Sequence, residues 1–252
     1  MTAIILQARI DSSRLPGKAL LPLDGKPVIF RVMEALNQIT KNKEQKTESD
    51  FLKILACSED SLSAFTPIAK DADFEIFAGP KEDVLERYCQ VIRKYSVKRV
   101  IRATGDNPFV FADAAASINE EAVSLNADYG GYIDLPYGAG VETVSADALL
   151  RACKETSLPF NREHVCPYLY NNPDKFNIHR PLAPSIWRNP NIRLTIDTQE
   201  DYDNAIKLYN ILKNDSQRNM GTTIINAYKD INQKEPHTEA HRTCDSRHGG
   251  IE

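Results

Sequence analysis

The sequence lacks most of the features that would settle its class at once. C-x-x-C spacing is absent: the five cysteines, Cys57, Cys89, Cys153, Cys166 and Cys244, are odd in number and scattered. That argues against a disulfide framework or a cysteine zinc site, and fits reduced thiols in a cytoplasmic protein. The Asn214-Asp215-Ser216 sequon has no role in that setting. No stretch approaches the ~20 apolar residues that span a bilayer, so no membrane insertion is expected. The first residues run straight into an apolar segment, without the charged leader of a secretory signal, which again points to the cytoplasm. Positive charge is not in excess. Lys and Arg number 31 against 35 Asp and Glu, a net charge of −4, which argues against nucleic acid as the main partner.

Two phosphate-binding signatures are missing as well. Neither Gly17-Lys18 nor Gly25-Lys26 is followed by Ser or Thr, so there is no Walker A loop. There is no G-x-G-x-x-G fingerprint after the first strand. What stands there is L-Q-A-R-I-D-S-S-R-L-P-G-K, from Leu6 to Lys18. It follows Ala3-Ile4-Ile5-Leu6, a short β-branched run that reads as a buried strand. It places Arg9, Arg14 and Lys18 in one loop with Ser12, Ser13 and a Pro16-Gly17 turn. A strand opening into a basic, glycine-containing loop is where an α/β protein presents positive charge to phosphate. A solvated loop of the same composition is the competing reading.

The length of 252 residues suits one α/β domain with an appendage. Val28 to Leu36 has helical spacing, with Pro27 at a tolerated first turn. Residues 40 to 50 are polar and read as a surface connection. Strands are expected at Leu52–Cys57, Phe74–Phe77 and Val100–Thr104, with helices at Ser61–Lys70 and Val84–Tyr95 between them. This alternation predicts an α/β fold: a mostly parallel, Rossmann-like sheet with helices on both faces. Ligands then gather outside the carboxyl ends of the strands. Beyond, helices are expected at Asp113–Ser124, Ala146–Thr156 and Asn161–Tyr170, and strands at Val141–Val144 and Ile192–Ile196. A long helix through Leu212 and a short one at Thr222–Tyr228 follow. The irregular region 128–191 reads as a smaller element inside a domain of residues 1–232. Residues 233–252 are polar and expected to be a disordered tail.

Two aspartates end predicted strands on the presumed ligand edge. Asp106 lies in Gly105-Asp106-Asn107-Pro108, where a turn-forming carboxylate is the plain reading. Asp197 precedes Thr198-Gln199-Glu200-Asp201, where helix capping is the plain reading. Together they match what Mg²⁺ takes: one or two carboxylates plus phosphate oxygens and water.

The order Q-A-R-x-x-S-x-R-L-P-G-K, then L-x-x-L-x-G-K-P, resembles the opening of nucleotidyltransferases that activate sugars. In particular it is similar to the cytidylyltransferases of the CMP-Kdo synthetase and spore-coat polysaccharide protein F group. R-x-T-G-D-N-P resembles that family's magnesium motif, with Asp106 as ligand. R-L-T-I-D-T-Q-E-D-Y resembles its late motif W-T-L-D-T-P-E-D-L, with Asp197 as second ligand and Gln199 in place of Pro. Gly138-Ala139-Gly140-Val141-Glu142 aligns with G-L-D-V-E, with Gly140 replacing the Asp. Arg162-Glu163-His164-Val165-Cys166-Pro167-Tyr168 resembles R-E-H-V-T-P-Y.

The resemblance implies a GT-A-like nucleotidyltransferase fold, a homodimer, and Mg²⁺ held by Asp106 and Asp197. The implied reaction transfers CMP from CTP to a sugar, sugar acid or sugar-like phosphate and releases pyrophosphate. Arg9, Arg14, Lys18 and Asp106 would carry the chemistry. Leu6, Gln7 and Ala8 would face the base, and Arg9, Ser13, Arg14 and Lys18 the phosphates, with Arg102 and Thr104 helping to read the base. Glu142, Arg162 and His164 would meet the acceptor, in an acceptor and dimerisation element at 128–191. The rival expectations are a glycosyltransferase using a nucleotide sugar, and a non-catalytic nucleotide-binding protein of polysaccharide assembly.

Overall fold

A computed structural model describes residues 1–41 and 51–234. Of the surface connection expected at 40–50, Thr40 and Lys41 are helical and residues 42–50 lie outside the described residues, as does the tail from 235 onward, including Cys244. Strand β1 (Thr2–Ala8) is the centre of the sheet, parallel to both β4 (Phe51–Ser58) and β6 (Arg99–Thr104). Its side chains alternate between two cores. Ile4 and Leu6 face one, Ala3 and Ile5 the other, all fully buried. That period of two, apolar on both faces, is what a doubly covered parallel strand requires.

The seven-stranded sheet runs β5-β4-β1-β6-β8-β7-β9. Strand β5 (Glu75–Gly79) continues the parallel set. Beyond β6, strand β8 (Glu142–Ser145) is antiparallel to both β6 and β7 (Tyr129–Gly130), and β9 (Ile178–His179) pairs parallel with β7. Strands β2 (Pro22–Leu23) and β3 (Lys26–Pro27) form a separate hairpin around Asp24-Gly25, a dipeptide favoured in such turns.

One face of the sheet is covered by α1 (Val28–Lys41), α2 (Leu62–Asp71), α4 (Ala112–Ser124), α8 (Gln199–Leu212) and α9 (Gly221–Lys234). The other carries α3 (Val84–Tyr95), α5 (Ala146–Glu155), α6 (Pro159–His164) and α7 (Pro167–Tyr170). The expected α/β architecture is thus present. Helix α9 is longer than the short helix expected, and it takes in the first two residues of the predicted tail.

Two expected elements differ. Ile192–Ile196 is extended but is not a strand of the sheet. Its backbone bonds go to loops: Tyr137 N–H donates to Ile192 O and Leu194 N–H to Tyr137 O, both at 2.8 Å, and Ile196 N–H donates to Asp106 O at 2.9 Å. Ile192, Leu194 and Ile196 are buried, which explains the strand-like alternation. The single helix expected over Asn161–Tyr170 is broken at Val165, whose φ of 73° and ψ of −60° belong to a strained γ-turn. Cys166 N–H closes it on His164 O at 2.9 Å. No helix among the described residues is long and apolar enough to cross a membrane.

Candidate active site

The carboxyl ends of β1 and β6 open into a cavity of about 790 Å³. The basic loop after β1 forms one wall. Leu15-Pro16-Gly17-Lys18 is a type II turn, in which Lys18 N–H donates to Leu15 O at 3.2 Å. Gly17 sits at φ 68°, where an L side chain would be strained. The turn delivers Lys18 into a short 3₁₀ turn (Lys18–Leu20) with its ammonium pointing inward.

That ammonium is the centre of the site. Lys18 Nζ donates at 2.8 Å to Asp106 Oδ2, to Asp197 Oδ1 and to the Ile196 carbonyl oxygen. Residues 18, 106 and 197 are far apart in sequence, yet both carboxylates lie within reach of one cation. The Arg14 guanidinium also reaches Asp197 Oδ1, at 3.0 Å. Arg193 Nη2 holds Asp197 Oδ2 at 2.9 Å. Burial pushes the Asp197 carboxyl up, but Lys18, Arg14 and Arg193 outweigh it and hold it below its ordinary value.

The plain readings of the two aspartates are resolved by their partners. Thr198, not Asp197, caps α8: its hydroxyl accepts from Asp201 N–H at 3.2 Å, and Asp201 accepts in return from the Thr198 N–H. The Asp197 side chain is therefore free to face the cavity. The Asp106 carboxylate accepts from Lys18 rather than from its own turn. The three oxygens around Lys18 Nζ are hard donors, the kind Mg²⁺ prefers, so the residues present fit that ion.

The rest of the loop is fastened from outside. Ile10 N–H donates to Ser61 Oγ at 3.0 Å, and Lys81 Nζ bridges Asp11 and Asp60 at 2.7 Å each. Arg9 and Ser13 line the cavity. The motifs did not single out Lys81 or Arg87. Arg87 is buried without a carboxylate partner among the described residues; it donates to the carbonyls of Pro80, Lys81 and Ala56, and burial lowers its pKa. Its signal was an arginine on the apolar stripe of α3, three residues after Val84.

On the floor, Arg102 Nε donates to Gln7 Oε1 at 3.2 Å and its Nη1 pairs with Glu142. Tyr129 donates its hydroxyl to the other Glu142 oxygen at 2.8 Å. Burial pushes the Tyr129 hydroxyl well up, and Glu142 pushes it further. Thr104 lines the cavity and accepts from Asn107 Nδ2 at 2.8 Å. Gln7 and Ala8 also line the cavity; Leu6 is fully buried below it, so only its backbone neighbours reach the site.

The acceptor residues separate. Glu142 and His164 line the cavity, as does Glu163. The γ-turn at Val165 ends α6 just where these two side chains are presented, and His164 lies against Phe160 with ring centroids 4.5 Å apart. Arg162 is turned away. Its Nε donates to Asp83 at 3.0 Å, its Nη2 to the same carboxylate, and its Nη1 to the Cys153 carbonyl at 2.7 Å. It braces α6 against the start of α3 and α5, and it does not border the cavity. Arg162 and His164 stand two positions apart on α6 and so on different sides of it, whereas Glu163 and His164, at its end, both border the cavity. Gly140 borders the cavity, and a Cβ there would meet only Leu135 Cδ1 at 3.2 Å. The missing carboxylate is therefore not forced by lack of space. Gly138, at φ 91°, passes so close to Thr195 N that a Cβ would stand 2.7 Å from it.

Several known proteins resemble this chain. A family model described as cytidylyltransferase matches residues 3–234. The spore coat polysaccharide biosynthesis protein SpsF of Bacillus subtilis is 32% identical over 207 residues, covering 81% of this chain and 85% of that one. A 3-deoxy-manno-octulosonate cytidylyltransferase of Anaeromyxobacter dehalogenans is 29% identical over 46% of this chain and 45% of its own. Among solved structures, a cytidylyltransferase from Leptospira borgpetersenii superposes with a TM-score of 0.77, at 22% identity over 92% of this chain and 94% of that one. A CMP:2-keto-3-deoxy-manno-octonic acid synthetase solved with CTP superposes with a TM-score of 0.61, at 17% identity over 83% of this chain and 98% of its own. These two likenesses are of fold.

Proposed function

The chain belongs to the cytidylyltransferase family, and from that premise we propose that it transfers CMP from CTP to a sugar-like acceptor and releases pyrophosphate. The observation that carries the reading is the meeting of Lys18 with Asp106 and Asp197 at the mouth of the basic loop. A hydroxyl oxygen of the acceptor attacks the α-phosphorus in line. The new P–O bond forms as the bond to the β-phosphate oxygen breaks, and the hydroxyl proton leaves to solvent. Chemistry of this kind is mostly positioning and charge stabilisation.

In this reading Arg9, Ser13 and Arg14 hold the triphosphate, and Lys18 follows the negative charge that moves onto pyrophosphate. Gln7, Ala8 and Thr104 border the base, with Arg102 fixing the Gln7 amide. Asp106 and Asp197 would hold Mg²⁺, which when bound supplies neutralisation of the α-phosphate and its polarisation. Glu142 and His164 face the acceptor; Arg162 is assigned a supporting role instead.

A pyrophosphate-release assay over four nucleoside triphosphates, with and without sugars, tests the proposal. CTP with Mg²⁺ should be the preferred donor. Asp106→Asn should lower turnover by on the order of 10²–10³-fold with an unchanged circular dichroism spectrum. Near-normal release by that variant sinks the assignment.

A further inference from the structure

The spacing of the cysteines gives no hint of a site, yet the fold brings two thiols to one carboxylate. Glu86 and Cys89 stand three positions apart on α3 and share a face of it. Cys153 meets them from α5. The Glu86 carboxylate and the two sulfurs lie within 4.8 Å of one another, and among the described residues no other three His, Cys, Asp or Glu side chains gather so closely. None of the three borders the active-site cavity, and no described cysteine does.

Both thiols act as polar groups here. Cys89 is fully buried, yet its Sγ donates to Leu149 O at 3.6 Å. Cys153 Sγ donates to Glu86 Oε2 at 3.0 Å. Contacts further out hold the group in place. Arg93 takes the other Glu86 oxygen at 2.8 Å, which leaves Oε2 to the sulfurs. Arg162 Nη1 donates to Cys153 Sγ at 3.2 Å, while its Nη2 is held by Asp83.

We infer that Glu86, Cys89 and Cys153 form a binding site for a thiolate-preferring divalent cation, Zn²⁺ in the first place, that ties α3 to α5.

Two sulfurs and a carboxylate oxygen, presented by two packed helices, are ligand types that Zn²⁺ takes, with the fourth tetrahedral position left to water. Mg²⁺ favours oxygen alone, so this is not a second version of the site at Asp106 and Asp197. The exchange also balances in charge. Two S–H bonds break, two S–Zn bonds form, and two protons pass to solvent as one doubly charged cation enters. The Glu86–Arg93 and Asp83–Arg162 pairs therefore keep their partners, and Arg162 then donates to a thiolate from the ion's outer shell. The Glu86 side chain is 25% exposed and Cys153 is half-buried, which gives the ion a way in from solvent. Because Arg162 fastens α6 to Cys153, the ion stiffens the support of the helix that carries Glu163 and His164.

The test uses the full chain, freed of metal by a chelator and kept reduced, with excess Mg²⁺ to fill oxygen sites. Titration with Co²⁺ should give a sulfur-to-cobalt charge-transfer band in the near ultraviolet, which an ion on Asp106 and Asp197 would lack. Zn²⁺ should displace that band and raise the Tm. Cys153→Ser and Cys89→Ser should each at least halve the band and weaken Zn²⁺ in calorimetry by at least about tenfold, the least that losing an outer-shell partner costs. Glu86→Gln should weaken Zn²⁺ as well but keep the band at saturating Co²⁺, and it keeps the test open where the buried Cys89 substitution disturbs folding. Cys244→Ser, outside the described residues, should change neither reading. No band in the native chain, a band and affinity unmoved in folded Cys153→Ser, or a band lost in Cys244→Ser overturns the inference.

Discussion

At the scale of single residues, Lys18 does something that its motif could not reveal. Besides its place in the basic loop, it is the counter-ion that holds two facing carboxylates together. Its side chain is 16% exposed and that of Asp197 9%, so the pair is shielded enough for its loss to matter. Lys18→Met should cost about 3 kcal/mol of stability in denaturant unfolding, and should lower pyrophosphate release on the order of 10²-fold. Arg162→Ala provides the contrast. It removes the brace between Asp83 and the Cys153 carbonyl, and should cost about 1–3 kcal/mol while leaving KM for CTP nearly unchanged. Sequence motifs brought Asp106, Asp197, Arg14 and Lys18 to one place correctly. They could not tell Arg162 from His164, because adjacency in a motif says nothing of which side of a helix each faces.

At the scale of elements, the start of α8 shows how a cap serves a site. Asp201 accepts from the backbone N–H groups of Asp197 and Thr198, at 2.9 and 3.0 Å, and from Arg193. Burial raises its pKa, but these partners prevail and bring it down to about 2. A carboxyl depressed below its unfolded value stabilises the fold fully above about pH 4 and loses that contribution as pH falls toward about 2. Asp201→Asn should therefore lower stability at neutral pH by about 1 kcal/mol and flatten the acid limb of a stability–pH curve over that window. The capping box was readable from Thr198-Gln199-Glu200-Asp201. The breaking of Asn161–Tyr170 was not, since Val165 is an apolar, β-branched residue that gives no warning of a positive φ. Ile192–Ile196 misled for the opposite reason. Its apolar alternation is real, but loops rather than a strand take its hydrogen bonds.

At the scale of the whole molecule, the order of the sheet puts the basic loop and Asp106 on adjacent strands, β1 and β6, so their proximity follows from topology. The alternation of strands and helices up to Thr104 made that half legible. The antiparallel β8 beside β6 was not, because pairing direction leaves no trace in a four-residue strand. A ligand seated across that edge ties the loop, β6 and the segment before α8 together. CTP with Mg²⁺ at 100 times its Kd should stabilise the fold by about 2.7 kcal/mol, read as a rise in Tm. The ammonium between Asp106 and Asp197 bears on what happens before any nucleotide arrives. Two anions left facing each other would push the end of β6 and the segment before α8 apart, and a protein relying on a borrowed ion to prevent this would loosen whenever the ion was scarce. Here the peg is part of the chain. Withdrawing Mg²⁺ should leave the melting curve of the nucleotide-free protein where it was, and the same withdrawal should halt pyrophosphate release: tolerance in the scaffold, dependence in the chemistry.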